Sequence, residues 1–161
     1  MNQLGEVAGK LEQAVDSAIE RWRNLTEESL RFRPSAKAWS VKEIIGHLVD
    51  SASNNHQRFV RLQLEQPLNF PDYSQDNMLW VGIQKYQERN WTQLLNLWRE
   101  FNYQLAHIIR SVDPDCLSHT WQMDSNTCYT LFDLMSDYLR HLEIHLIQIS
   151  DTLNASKDAK E

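Results

Sequence analysis

Two of the six histidines in the sequence are spaced as metal ligands often are. His141 and His145 lie four residues apart in a segment with helical periodicity. Because an α-helix turns about 100° per residue, both imidazoles leave the same side of that helix and can share one ion. Both also lie in or beside its apolar stripe, where two polar rings without a shared partner are unfavourable. The pair therefore predicts a metal site that faces the protein interior.

A third candidate ligand, His47, lies beside the apolar stripe of an earlier helical segment and follows Gly46. A glycine in mid-helix costs about 1 kcal/mol relative to alanine, which indicates that another helix or a ligand approaches the backbone closely there. Three imidazoles from two facing helices would leave coordination positions open, as in catalytic sites that hold zinc or nickel. The alternative is that these histidines only form hydrogen bonds within the core.

Polar side chains follow His47 along the same edge of its helical segment. They belong to Ser51, Asn54 and Arg58, and they are predicted to line a pocket above the ion. An arginine at this place can hold a substrate carboxylate through two parallel hydrogen bonds. The alternative is a salt bridge at the rim of a helical bundle.

An acid and two tryptophans are further candidates for the surroundings of the ion. Asp137 lies one turn before His141 and either accepts a ring N–H from it or is an ordinary solvated acid. Trp39 and Trp80 fall in connections between helices, where they either wall the pocket or cap the ends of the bundle.

Four segments have the periodicity of amphipathic helices and would position these residues. In each segment apolar residues recur at steps of three and four. The second begins with the capping box Ser40-Val41-Lys42-Glu43, and the fourth begins at Thr130, with Asp133 three residues later. A long connection to about residue 90 precedes the third helix, and a small hairpin over 116–129 precedes the fourth. The four helical segments cover about residues 7–25, 40–62, 92–112 and 130–153.

These elements predict an all-α protein, an up-down-up-down-like four-helix bundle with long connections, in which sites are built from inward-facing side chains. We expect a single domain over residues 1–153. A polar tail at 154–161 is expected to fray.

The composition agrees with one globular domain and argues against several function classes. With a net charge of −6 and a pI near 5.5, the chain repels phosphate backbones, so nucleic acid is not an expected partner. The 4 glycines leave no phosphate-binding motif and no nucleophile elbow. The absence of an apolar run of membrane-spanning length argues against a membrane protein. The N-terminal residues and the use of only 2 cysteines predict a cytoplasmic location.

Two blocks of this sequence together resemble the DinB/YfiT-like metalloenzyme superfamily of four-helix bundles. The first runs from Trp39-Ser40 through Glu43 to His47, and the second is the His141-x-x-x-His145 block. The resemblance implies that His47, His141 and His145 bind a divalent ion, and that the protein forms a homodimer, as members often do. It also implies either a metal-dependent hydrolase or a thiol transferase or isomerase that uses a low-molecular-weight thiol such as bacillithiol or mycothiol.

We therefore expect a cytoplasmic metal-dependent enzyme that acts on a small molecule by hydrolysis or by thiol transfer. Neither histidine block offers an obvious carboxylate base, so a general base for hydrolysis would have to come from the connection, where Asp72, Tyr73 and Asp76 are the candidates. Two alternatives remain: a metal-binding module without turnover, and a structural bundle whose histidines are core residues.

Overall fold

The computed structural model describes residues 3–71, 77–124 and 126–159. Within these residues the chain forms six α-helices and one two-stranded antiparallel sheet. The helices are α1 (Gln3–Trp22), α2 (Glu27–Arg31), α3 (Val41–Arg61), α4 (Asn77–Gln84), α5 (Trp91–Ser111) and α6 (Leu131–Asp158). The strands are β1 (Thr120–Gln122) and β2 (Cys128–Thr130), which form the predicted hairpin.

The four long helices α1, α3, α5 and α6 bury their apolar stripes against one another and form the predicted four-helix bundle with long connections. Both α1 and α3 pack mainly on α5 and α6, so α1 and α3 lie diagonally across the bundle. The core consists chiefly of the aliphatic and aromatic residues of these four helices.

The directions of the helices depart from strict alternation. At one end of the bundle, Tyr86, just before α5, packs on Gly46 near the start of α3. Further along, Tyr138 on α6 donates a hydrogen bond to Asn102 of α5 at 2.8 Å and contacts Phe59 of α3. Helices α3 and α5 are therefore parallel, because α5 begins at the end of the bundle at which α3 begins.

The two helix starts that the sequence predicts from capping residues are confirmed. The Ser40 hydroxyl accepts from the Glu43 amide at 3.3 Å, while the Glu43 carboxylate accepts from the Ser40 amide at 2.9 Å. Thr130 and Asp133 form the same reciprocal pair at the start of α6. Both caps precede a helix that carries histidines of the candidate site, and they fix the point at which each helix begins.

The end of the last helix differs from the prediction. It does not end before Asn154 but continues to Asp158. Thr152 and Ser156 are buried on its inner face, and the Thr152 hydroxyl donates to the carbonyl of Gln148 at 2.9 Å. A helix face of small hydroxyl residues packs well but lacks the apolar periodicity from which the sequence prediction was made.

The connection after α3 is tied to the hairpin. Leu68 pairs with Trp121 in an isolated β-bridge, and the Trp121 indole donates to the carbonyl of Phe70 at 2.7 Å. Within this connection, residues Asn77–Gln84 form α4. Among the helices of the described residues, none combines the length and apolar character needed to cross a membrane.

Candidate metal centre

The structure brings together the three histidines that the sequence singles out. The ring centroid of His47 lies 5.5 Å from that of His141 and 4.8 Å from that of His145. The centroids of His141 and His145 are 4.6 Å apart. One nitrogen from each ring lies within 4.8 Å of the other two, so that a single ion can reach all three.

The surroundings of the rings favour neutral imidazoles with available lone pairs. Burial, reinforced by the neighbouring His145 and His141, lowers the pKa of His47 to about 3. Burial is also the main cause that lowers the pKa of His141 to about 4, and it lowers the pKa of His145 as well. Neutral imidazole is the form that coordinates metal ions, so these residues fit a divalent ion.

Gln148 sets the orientation of one ligand, and the sequence analysis missed it. Its Oε1 lies 2.8 Å from Nδ1 of His145. An amide oxygen only accepts, so Nδ1 carries the proton and the lone pair of His145 is on Nε2, which faces Nε2 of His141 at 3.2 Å. Residues three apart on a helix are neighbours, and this spacing from His145 was the available signal.

Trp39 walls the site on the side of His47. Its ring centroid lies 4.9 Å from that of His47, with the planes tilted by 35°. Trp39 thus contacts a candidate ligand but is not among the described residues that line the cavity beside His141. Trp80 instead lies on the outer side of α4, partly exposed, where it lines a surface pocket with Ile83 and Gln84.

The close approach predicted at Gly46 is made by the ring of Tyr86. A Cβ at residue 46 would lie 2.1 Å from Cδ2 of that ring. The Tyr86 hydroxyl and the Gln84 amide both donate to Oδ1 of Asp50, each at 2.6 Å. Lys85 between them adopts a left-handed conformation with φ of 51°, which lets both neighbours reach the same carboxylate. The connection is thus fastened to α3 beside His47.

A cavity of about 200 Å³ opens next to the histidines. His141 and Asp137 line it from α6, and Ser51 and Arg58 line it from α3. Trp121 and Tyr129 of the hairpin form another wall. Two of the three residues predicted to line a pocket, Ser51 and Arg58, therefore lie at one cavity beside His141, and Asp137 lines it as well.

The remaining predicted residues have other surroundings. Asn54 donates to the carbonyl of Asp50 at 3.0 Å, and its neighbour Asn55 lines the cavity. Asp137 accepts from Arg140 at 2.7 Å in an exposed ion pair. The candidate bases Asp72, Tyr73 and Asp76 lie outside the described residues.

This arrangement defines a class of protein: a helical bundle with a cluster of three histidines on facing helices that could hold a metal ion. The chain belongs to the DinB superfamily, whose family model matches residues 10–149.

Two comparisons with known proteins give context for this membership. The chain is 24% identical over 149 residues to a Bacillus subtilis protein named as a candidate metal-dependent hydrolase, YfiT, covering 92% of this chain and 79% of that protein. A solved structure of YfiT, described as a candidate metal-dependent hydrolase with an unusual four-helix bundle topology, matches with a TM-score of 0.78. That match covers 94% of this chain and 86% of the other at 18% identity, so it shows the shared fold.

Proposed function

We propose that the protein is a metal-dependent hydrolase that acts on a small molecule, with His47, His141 and His145 as the ligands of a divalent ion. The observation that carries the proposal is the convergence of three neutral imidazole nitrogens within 4.8 Å beside a cavity. The name of the related YfiT favours hydrolysis over other reactions of such a site.

When bound, a divalent ion supplies Lewis acidity that makes a water molecule or a thiol a stronger nucleophile at neutral pH. The protein's own residues prepare this site. The three histidines remain neutral, Gln148 fixes the tautomer of His145, and Trp39 covers His47. We propose that Asp72, Tyr73 or Asp76 acts as the general base in hydrolysis, and that the cavity lined by Ser51 and Arg58 holds the substrate.

The identity of the ion follows from the chemistry of the ligands, and the expected assembly, location and partners follow from the sequence. Three imidazoles suit zinc or nickel better than magnesium or calcium, which prefer oxygen ligands. We further propose a homodimer in the cytoplasm, without nucleic acid as a partner. The net charge of −6 supports the last point.

Transfer of a low-molecular-weight thiol to an electrophile is the second candidate reaction, because zinc and nickel also bind thiolates. The two reactions differ in their requirement for a cosubstrate. Turnover of an ester or amide panel without added thiol supports hydrolysis, whereas product formation only with a thiol supports transfer.

The test begins with metal content and thermal stability. We expect the full-length protein to bind about one zinc or nickel ion per chain and to melt at a higher temperature when the ion is added, because a ligand of the native state stabilises it by about 2.7 kcal/mol at 100 times its Kd. His145→Ala should lose the ion, the shift and the turnover, while His107→Ala, at an exposed position on α5, should keep all three. Full metal occupancy in His145→Ala, measured by elemental analysis, would contradict the proposal.

A further inference from the structure

One face of the hairpin forms a wall of the cavity beside the histidines. Alternate side chains of a strand share a face, so Trp121 and Met123 point the same way, and Tyr129 joins them as the cross-strand partner of Trp121. The Met123 amide donates to the carbonyl of Thr127 at 2.9 Å and continues the pairing beyond β1. All three side chains line the cavity. The hairpin therefore presents two aromatic rings and a thioether to the contents of the cavity.

Trp121 is the fixed part of this face. It is 3% exposed, its indole donates to the carbonyl of Phe70 at 2.7 Å, and it pairs with Leu68 in a β-bridge. The central carbon of the Arg58 guanidinium lies 4.0 Å from the Trp121 ring centroid, in cation–π contact. The Tyr129 ring lies nearly parallel to the indole, with centroids 6.2 Å apart and planes 24° apart. The aromatic wall is thus held in place by the protein itself.

Met123 and Tyr129 leave apolar surface open in this wall. They are 39% and 38% exposed. Removal of apolar surface from water is favourable, so a ligand that covers these side chains is stabilised. Aromatic rings also gain from contact with another ring, and the polarizable sulfur of methionine favours aromatic partners. This face of the hairpin therefore matches an aromatic group better than a polar one.

The size of the cavity suits one ring with a small substituent. Its volume is about 200 Å³. An apolar cavity of about 150 Å³ in another protein holds a benzene molecule. The helices contribute polar groups to the same cavity, among them those of Ser51, Asn55 and His141. A ring at the hairpin can therefore carry a polar group that lies against the helices.

We propose that the substrate carries a single aromatic ring, which packs against Trp121, Met123 and Tyr129, while its reacting group extends toward the three histidines. This inference rests on the proposed function and narrows its substrate class. It assigns Met123 and Tyr129 to selectivity for the ring, and the histidines to the reacting group.

Benzamide, acetamide and cyclohexanecarboxamide form a matched set of probes with the same polar group. Each is titrated into the full-length protein, with and without zinc, and binding is followed by the methyl signal of Met123 in methionine-labelled protein. We expect benzamide to shift this signal saturably and to bind about tenfold or more tightly than acetamide, because it covers a ring-sized apolar surface. Cyclohexanecarboxamide should bind several-fold more weakly than benzamide, because a saturated ring lacks the aromatic contacts.

Two variants locate the binding. Tyr129→Ser should weaken benzamide several-fold. Trp80→Ser removes a similarly exposed aromatic ring from a different surface pocket, and should bind benzamide as the native chain does. Where Tyr129→Ser does not fold, the Met123 signal of the native protein and the order of the three amides still test the inference.

Three outcomes would overturn the inference. They are a Met123 signal that benzamide leaves unchanged, an affinity for cyclohexanecarboxamide equal to or above that for benzamide, and benzamide binding that is lost in Trp80→Ser but kept in Tyr129→Ser. The proposed function is tested separately. Benzamide binding in a protein that binds no zinc would contradict the metal site alone, whereas zinc binding without benzamide binding would contradict the aromatic substrate alone.

Discussion

The candidate site consists of neutral imidazoles whose nitrogens face one another, with His47 buried and His141 and His145 half-buried. Nε2 of His145 and Nε2 of His141 are 3.2 Å apart, and Gln148 fixes the proton of His145 on the opposite nitrogen. A hydrogen bond between the two Nε2 atoms requires that His141 carry its proton there. An ion would instead use both lone pairs, so the amide of Gln148 favours the metal-binding form of His145.

Replacement of Gln148 tests this orienting role. In Gln148→Ala the tautomer of His145 is no longer fixed, and we expect the affinity for zinc to fall about 10-fold or more, as losses of such supporting groups typically do. Competition with a chromogenic chelator measures the change. Gln13→Ala, at an exposed position on α1, is the control and should bind zinc as the native protein does. Equal affinities for zinc in the two variants would show that Gln148 does not orient His145.

The chemistry of single residues was partly visible in the sequence. The i, i+4 pair and the mid-helix glycine were local signals that identified His141, His145 and the neighbourhood of His47. Asp50 and Tyr86 gave no comparable signal, because their hydrogen bond joins a helix to a connection whose residues have no clean period. The sequence predicted Asn54 as a pocket residue, whereas its neighbour Asn55 lines the cavity.

At the scale of elements, the connection is fastened to α3 one residue before His47 and three residues after it. Tyr86 occupies the space that a side chain at residue 46 would need, and its hydroxyl is held by Asp50. The ring is anchored at both ends and cannot easily move away. Helix propensity therefore favours alanine at residue 46, whereas packing against Tyr86 favours glycine.

Two glycine substitutions separate the effect of helix propensity from the effect of packing. Gly46→Ala should destabilise the protein by about 1–3 kcal/mol in spite of the better helix propensity of alanine, because the new Cβ would overlap Tyr86. Gly9→Ala on α1, where a Cβ would meet no atom within 4 Å, should stabilise it by about 0.5–1 kcal/mol. Urea unfolding measures both free energies. A gain in stability at residue 46 would show that the Tyr86 contact is dispensable.

At the scale of the whole molecule, the sequence predicted the number of long helices but not their directions. Each apolar stripe is a local property of 20 or so residues, so α1, α3, α5 and α6 could be found one by one. The parallel course of α3 and α5 depends on the path of the connection 62–90 and on which helices lie diagonally. These are properties of the assembled core, and the apolar periodicity of a single helix does not predict them.

The stability of the whole molecule should depend on pH through the buried histidines. In the metal-free protein the pKa of His47 is lowered to about 3 and that of His141 to about 4, mainly by burial, against about 6.5 in an unfolded chain. Between these values the unfolded state binds more protons, so the free energy of unfolding should fall as the pH drops from about 6.5 toward 4.

Denaturant unfolding at a series of pH values in the presence of a chelator measures this dependence. His47→Gln should reduce the slope, whereas His107→Gln at an exposed position should leave it unchanged. A free energy of unfolding that stays constant from pH 7 to pH 4.5 in the native protein would contradict the burial of neutral imidazoles.

The hairpin and the helices contribute to the cavity in different ways. The histidines stand on α3 and α6, whose caps and core contacts fix them, while Trp121 and Tyr129 come from a short excursion of the chain between α5 and α6. Loops tolerate replacement far better than packed helices do. Substitutions in this segment could therefore change which compound the cavity accepts without changing the histidines. Selectivity and reactivity could then evolve separately.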